Sequence, residues 1–145
     1  MSEEIIKLNK KKIKLQKLEI DKETLLKTIS PLGGGLSRLR ETCGAVNAIG
    51  IVIGNLYGYF DPKDNEAKVK VYTITQQLVK EFEDEYHSLC CRDLLKLDHK
   101  HDSPIPSERT SEYYASRPCK QYIFLASDIL TKFLIKEGVI VDEHY

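Results

Sequence analysis

The sequence predicts an all-α fold, a single compact helical domain of five or six helices around a buried, glycine-rich central helix at about 43–60. Three observations favour it. No segment of the 145 residues has a convincing strand pattern. Apolar residues recur at three- and four-residue steps in the longer segments, which is the period of an amphipathic helix. Residues 43–60 are apolar or small on nearly every side, and a helix of that kind is buried.

The N-terminal segment differs in composition from the rest of the chain. Residues 1–19 are rich in lysine, with isoleucines and leucines at loosely helical spacing. We interpret 1–19 as a basic, solvated helix ahead of a single helical domain at 20–145, and a patch for membrane or nucleic acid is the alternative. Lys+Arg and Asp+Glu both number 22, and this balance argues against a nucleic-acid-binding protein.

The same sequence features suggest where the protein works. The start of the chain is charged and polar, without the apolar segment of a secretory signal, so we expect a cytoplasmic protein. The run at 43–60 is interrupted and shorter than the roughly 20 apolar residues of a membrane span, so none is expected.

Taken in order, the first helix of the domain is predicted at Lys22–Ser30. Asp21 is a good N-cap, and Pro31 with the three glycines 33–35 ends the helix. A glycine-rich turn can cradle phosphate, but no Lys-Ser/Thr pair follows and no βαβ pattern surrounds it. We therefore interpret these glycines as a tight turn between helices.

The central helix is expected to begin at Thr42, whose hydroxyl can cap it and place Cys43 in its first turn. Gly50, Gly54 and Gly58 recur four residues apart and share one face. Since each glycine inside a helix costs roughly 0.5–1 kcal/mol relative to alanine, the stripe predicts that another backbone packs closely there.

In the second half of the chain, the sequence next predicts a long helix, a short helix and a polar loop. Glu66–His87 follows a turn cluster. Its opening, 69–75, alternates and could pass for a strand, but the longer pattern is helical, so we expect one long helix. Ser88 is expected to cap a short helix, Leu89–Leu97. Residues 98–109 form a polar loop with two prolines, in which His99 and His101 could bind a metal but are more often merely solvated.

The last long helix is predicted at Pro118–Lys136, with Ser116 as its cap, Pro118 in its first turn and Gly138 as its end.

The four cysteines carry the chemical signal. Cys43, the pair Cys90-Cys91, and Cys119 all fall in a predicted first helical turn, where the macrodipole and free amides favour thiolate, the reactive and metal-binding form. Helices that pack with these starts together would bring the sulfurs together. There is no CxxC motif. His87 precedes the pair by three and four residues and would be a further ligand only if its helix were continuous.

Several of these stretches resemble one family. Gly33-Gly-Gly-Leu-Ser-Arg38, Thr42-Cys43-Gly44-Ala45 with the apolar run to Gly58, Cys91-Arg-Asp-Leu-Leu95, and Cys119 with its helical tail are similar to the C-GCAxxG-C-C family, to which a redox role is assigned. The resemblance covers roughly 20–138. Ala48 stands where the motif has its last glycine, and the family's first cysteine is absent.

The resemblance implies a redox-active or metal-thiolate protein that uses Cys43, Cys91 and Cys119. Thiol–disulfide exchange is one hypothesis, and zinc or iron–sulfur binding by the same cysteines, with Cys90 or His87 as a further ligand, is another. Cys91 is expected to face the site because it matches the family's Cys-Arg pattern. No reaction can be assigned; the candidates are a thiol-based oxidoreductase and an electron carrier.

A hypothesis of another class is a small helical interaction module whose cysteines are only buried. The redox or protein partner is not identified by the sequence, and a homodimer is compatible with it.

Overall fold

The structure is a computed structural model that describes residues 20–141, and within that range it is helical, with no strand or sheet. The predicted basic segment 1–19 lies outside the described residues. Two short turns, a 3-10 turn at Ser30–Leu32 and a turn at Gly33–Leu36, follow the first helix. The described range contains six α-helices: α1 (Lys22–Ile29), α2 (Gly44–Tyr57), α3 (Asn65–Tyr86), α4 (Cys91–Leu94), α5 (Ser111–Ser116) and α6 (Cys119–Lys136).

Side-chain caps fix the starts of three helices. Asp21 accepts a hydrogen bond from the amide of Thr24 at 2.9 Å, and Asp64 accepts one from the amide of Ala67 at 3.0 Å. Thr110 does the same for the amide of Tyr113 at 3.1 Å. Each cap satisfies an amide that has no partner inside its helix. The caps account for the predicted starts of α1 and α3 and for α5, which we did not predict.

The core lies where α2, α3 and α6 pack together. Helices α2 and α3 contribute the largest fully buried side chains, which are Phe82, Ile49, Ile53 and Leu78. The remaining members of the core include Ala45, Val46, Tyr122, Ala126 and Ile129. The predicted all-α fold around residues 43–60 is confirmed, although only one face of α2 is fully buried.

The prediction of a close-packed glycine stripe on α2 is wrong. A Cβ atom on Gly54 would have no neighbour within 4 Å, and one on Gly50 would make only an ordinary contact of 3.9 Å with Thr75 Cγ2. The one neighbouring atom on this face thus belongs to a side chain of α3, and no other backbone packs against it. Gly58 lies beyond the end of α2, where its amide donates to the carbonyl of Gly54 at 2.7 Å.

The close approach lies instead at the triple glycine. Residues 34–38 all have positive φ, between 49° and 70°, and Arg40 has φ 60°. Glycine adopts this left-handed conformation freely, whereas other residues lose about 1–2 kcal/mol each. The amide of Glu41 donates to the carbonyl of Gly35 at 2.8 Å, which closes the turn. The left-handed turn reverses the chain and delivers residues 40–43 to the cysteine-bearing helix starts.

Candidate functional site

The starts of α2 and α4 are joined by their backbones. Thr42 and Cys90 form an isolated antiparallel bridge. The amide of Cys43 donates to the carbonyl of Leu89 at 2.8 Å, and the amide of Cys91 donates to that of Glu41 at 2.6 Å. Cys43 and Cys90 are the N-cap residues of α2 and α4. This pairing holds two of the predicted cysteine positions side by side.

The start of α6 joins the same region through Tyr122. Its buried hydroxyl donates to the carbonyl of Leu94, at the end of α4, at 2.8 Å. Its ring packs edge-on against Tyr86 and Phe82 of α3, with centroids 4.7 and 6.1 Å away. Tyr122 lies three residues after Cys119, so it and Cys119 lie on the same side of α6. The first turns of α2, α4 and α6 therefore converge.

Burial and the charges of neighbouring groups act on the pKa values of two of the thiols. Burial raises the pKa of the Cys43 thiol, and charge at Cys91 and Cys119 raises it further. Desolvation is also the first cause that raises the pKa of the Cys119 thiol, followed by charge at Cys91. Charge at Cys91 thus raises the pKa of both other thiols. Cys43 and Cys91 are buried, whereas Cys119 is exposed as a residue although its thiol is partly desolvated.

These shifts correct the sequence-based expectation for two of the cysteines. Helix starts were expected to favour the thiolate, and the amides of Ala45 and Val46 do lower the pKa of Cys43. Burial outweighs them, because removing a thiolate from water costs more than two amides recover. Arg117 and Arg40 lower the pKa of Cys119, but the net direction is upward there as well.

Cys91 has a cation of its own, the guanidinium of Arg40. This arginine is only 4 % exposed, and its Nη1 donates to Cys91 Sγ at 3.8 Å. Its Nε donates to a carboxylate oxygen of Asp102 at 2.6 Å. Burial lowers the pKa of the guanidinium, but these two partners outweigh that effect and raise it. One buried guanidinium therefore contacts both the Cys91 thiol and the Asp102 carboxylate.

Asp102 in turn is held by the polar loop. His99 bridges two carboxylates, with its Nδ1 2.8 Å from Asp98 and its Nε2 2.9 Å from Asp102. Carboxylates only accept hydrogen bonds, so this geometry fits an imidazolium. The hydrogen bond to Asp98, then the one to Asp102, raises the pKa of His99. Arg38 anchors the same loop by donating from Nε to the carbonyl of Ser103 at 2.6 Å.

Cys90 has different neighbours from Cys91. Its Sγ donates to the carbonyl of Arg40 at 3.3 Å and accepts from Arg92 Nε at 3.2 Å. Arg92 also forms a salt bridge with Glu41. That Cys91 rather than Cys90 faces the other cysteines stays a prediction.

The geometry does not favour the predicted metal site. Among residues 20–141, no group of three or more His, Cys, Asp or Glu side chains is arranged to hold a metal ion. His87 was expected to be a ligand only if its helix continued to Cys90 and Cys91. It does not, because α3 ends at Tyr86 and His87 is an exposed, left-handed cap. His99 bonds to Asp98 and Asp102, and His101 is exposed. Zinc and iron–sulfur binding by Cys43, Cys91 and Cys119 remain predictions.

Sequence reasoning missed three residues of the candidate site. Arg40 lies three residues before Cys43 in sequence, yet its guanidinium contacts Cys91. Asp102 lies 62 residues further along, in a loop with no sequence pattern that points to this contact. Tyr122 lies within the predicted last helix, with nothing in the sequence to connect it to the site. The position of Arg40 just after the glycine-rich turn was the one sequence feature that could have indicated its role.

Comparison with known proteins gives one match. The sequence model of a family described as "putative redox-active protein (C_GCAxxG_C_C)" matches residues 6–133. No curated protein and no solved structure matches the chain. Within the described residues, no helix has the length and apolar character to cross a membrane.

Proposed function

Because the chain belongs to the C_GCAxxG_C_C family, whose members are described as redox-active, we propose that it transfers electrons by thiol–disulfide exchange between Cys91 and Cys119. Cys119 is the thiol that meets the co-reactant, and Cys91 is its buried partner. Cys43 is a third thiol beside this pair. The co-reactant is a disulfide or thiol compound carried by a small molecule or by another protein.

One observation supports the proposal above the others, the contact between the buried guanidinium of Arg40 and Cys91 Sγ at 3.8 Å. A buried arginine is costly unless its charge is used, and here it bridges a thiol and a carboxylate. In thiol–disulfide exchange a sulfur that is stable as thiolate is both ready to attack and quick to leave. A purely structural cysteine has no need of such a partner.

The proposed exchange is balanced in two steps. The thiolate of Cys119 attacks one sulfur of a substrate disulfide, the substrate S–S bond breaks, and one substrate thiolate leaves and takes up a proton. Cys91 then attacks the Cys119 sulfur of this mixed disulfide. The Cys91–Cys119 bond forms, and the second substrate thiolate leaves. The protein loses two electrons and two protons, and the substrate disulfide gains them.

Reduction of the Cys91–Cys119 disulfide uses the same residues in reverse. An incoming thiolate attacks the exposed Cys119 sulfur, and Cys91 leaves as a thiolate beside Arg40. Access selects which sulfur is attacked, and the stability of the departing thiolate sets the rate.

Single cysteine-to-serine variants test the proposal by stoichiometry. The reduced protein is mixed with a small disulfide, and the thiols released are counted. Wild type and Cys90→Ser are expected to release two thiols per disulfide consumed. Cys91→Ser should stop at one, with a lasting mixed disulfide on Cys119, and Cys119→Ser should release none. Since the pKa of Cys119 is raised, the first release should accelerate as pH rises above neutral.

Two outcomes of that experiment would contradict the proposal. The first is two-thiol release by Cys91→Ser or Cys119→Ser at the wild-type rate. The second is no release by the folded wild-type protein. Circular dichroism of each variant checks that the helical fold is retained.

A further inference from the structure

Two arginines flank α5, the helix that precedes Cys119, and the proposed exchange uses neither of them. Arg109 precedes α5, and Arg117 follows it, two residues before Cys119. The Arg109 guanidinium lies 4.7 Å from the ring centroid of Tyr113, and that of Arg117 lies 5.1 Å from the same centroid. The two guanidinium groups are therefore no more than about 10 Å apart.

The pair is held in place by Tyr113. Arg109 Nη1 also donates to the Tyr113 hydroxyl at 3.0 Å, in addition to stacking on the ring. The amide of Arg117 donates to the carbonyl of Tyr114, which ends α5. An arginine that stacks on an aromatic ring keeps most of its donors free, and less side-chain entropy is lost when those donors bind a partner.

Neither guanidinium has an acidic partner among residues 20–141. In the described part of the chain, Arg38, Arg40 and Arg92 each have a carboxylate within 4.0 Å, whereas Arg109 and Arg117 have none. Glu108 and Glu112 occupy the same segment but make no salt bridge with either arginine. Two like charges that share one ring repel each other, so this arrangement is stabilised when an anion binds.

The pair is also electrostatically connected to the thiol. The charge of Arg117 lowers the pKa of Cys119, against the upward effect of burial. An anion held by Arg117 and Arg109 would thus lie beside the sulfur that meets the co-reactant. Planar guanidinium groups match the geometry of carboxylates and bind them with two parallel hydrogen bonds.

We propose that Arg109 and Arg117, supported by Tyr113, form a carboxylate-binding subsite that selects acidic thiol and disulfide compounds for Cys119. This inference rests on the proposed function for the identity of its ligands. The subsite binds the carboxylate group of the co-reactant and presents its sulfur to Cys119. The site therefore prefers an acidic disulfide over a neutral or a cationic one.

The test compares two alkylating reagents that differ in charge. Iodoacetate carries a carboxylate, and iodoacetamide is its neutral counterpart. The labelling rate of Cys119 is measured for each by mass spectrometry, in the full chain, and the ratio of the two rates is taken. This ratio cancels any change in the thiolate population, since both reagents attack the same thiolate.

The ratio is expected to fall by roughly threefold in Arg109→Gln and in Arg117→Gln, which is the scale of one exposed ion pair. The double variant should lose roughly tenfold on the same basis. Lys136→Gln, at the far end of α6, is the matched control and should leave the ratio unchanged. Salt at about 1 M, where the Debye length is about 3 Å, should reduce the wild-type ratio.

A second measurement separates this inference from the proposed function. Reduced protein is oxidised by 3,3′-dithiodipropionate, which is dianionic, and by cystamine, which is dicationic. Faster oxidation of Cys119 by the dianion, lost in the double arginine variant, supports both proposals. A charge-dependent alkylation ratio without oxidation by either disulfide keeps the carboxylate subsite and overturns the exchange. Equal alkylation ratios in wild type and in the double variant overturn the subsite.

Discussion

Gly35→Ala is expected to destabilise the protein by about 2–4 kcal/mol, the combined scale of left-handed strain and overpacking. Gly35 has φ 66°, and an added Cβ would lie 2.6 Å from Cys91 Cβ and 2.8 Å from the amide nitrogen of Glu41. Both neighbours belong to the paired segments of the site, so they cannot move apart without breaking their backbone hydrogen bonds. The free energy of unfolding, measured in urea, checks the prediction.

Two other glycines provide matched controls for that substitution. Gly34→Ala has the left-handed strain, with φ 67°, but its nearest neighbour is Arg38 Cγ at 3.2 Å, part of a flexible side chain. It should lose only about 1–2 kcal/mol. Gly54→Ala enters open space inside α2 and should gain about 0.5–1 kcal/mol. A Gly35→Ala protein as stable as Gly34→Ala would remove the argument for close contact with Cys91.

Arg40→Gln is expected to slow the alkylation of Cys91 by about tenfold or more, since the sulfur that attacks the reagent would lose the cation beside it. The variant removes the cation 3.8 Å from Cys91 Sγ and leaves Asp102 without its hydrogen-bond donor. The pKa of Asp102, which the hydrogen bond from Arg40 holds below its usual range, should rise as a result. Site-resolved alkylation of the reduced protein measures the effect on Cys91.

The control for this variant is Arg40→Lys. Lysine keeps the charge but lacks the planar fork, so it cannot bond to Asp102 and Cys91 in the same way. Its Cys91 should react at a rate between those of wild type and Arg40→Gln. Unchanged reactivity of Cys91 in a folded Arg40→Gln protein would show that the guanidinium does not control the thiol.

The helix ends that were predicted well from sequence are those fixed by residues close to them in the chain. Asp21 and Asp64 cap α1 and α3 within a few residues of the helices that they start, and Gly138, with φ 69°, ends α6. The caps predicted for the cysteine-bearing helices, Thr42, Ser88 and Ser116, are wrong. The N-cap residues there are Cys43, Cys90 and Pro118, and none of them makes a side-chain cap hydrogen bond. The short helix α5 was missed, because six residues are too few to show a period and Thr110 is an ordinary loop residue by composition.

The chemistry of the site depends on contacts that are distant in sequence. Arg40 reaches Cys91 only because residues 34–38 turn left-handed, which a run of glycines permits but does not specify. Asp102 reaches Arg40 from a loop whose path no periodicity describes. The pKa of Cys43 was expected to fall at a helix start, yet burial raises it, and burial is a property of the whole fold.

The measurement that tests the central claim most directly is a disulfide map of the protein after mild oxidation. Reduced, metal-free protein is oxidised with a small disulfide, digested, and sequenced by tandem mass spectrometry, with Cys90→Ser used to resolve the adjacent cysteines. The exchange site predicts an intramolecular Cys91–Cys119 bond that persists in Cys90→Ser and that requires a folded chain. The account is contradicted if oxidation yields bonds through Cys90, bonds between molecules, or no bond between Cys91 and Cys119.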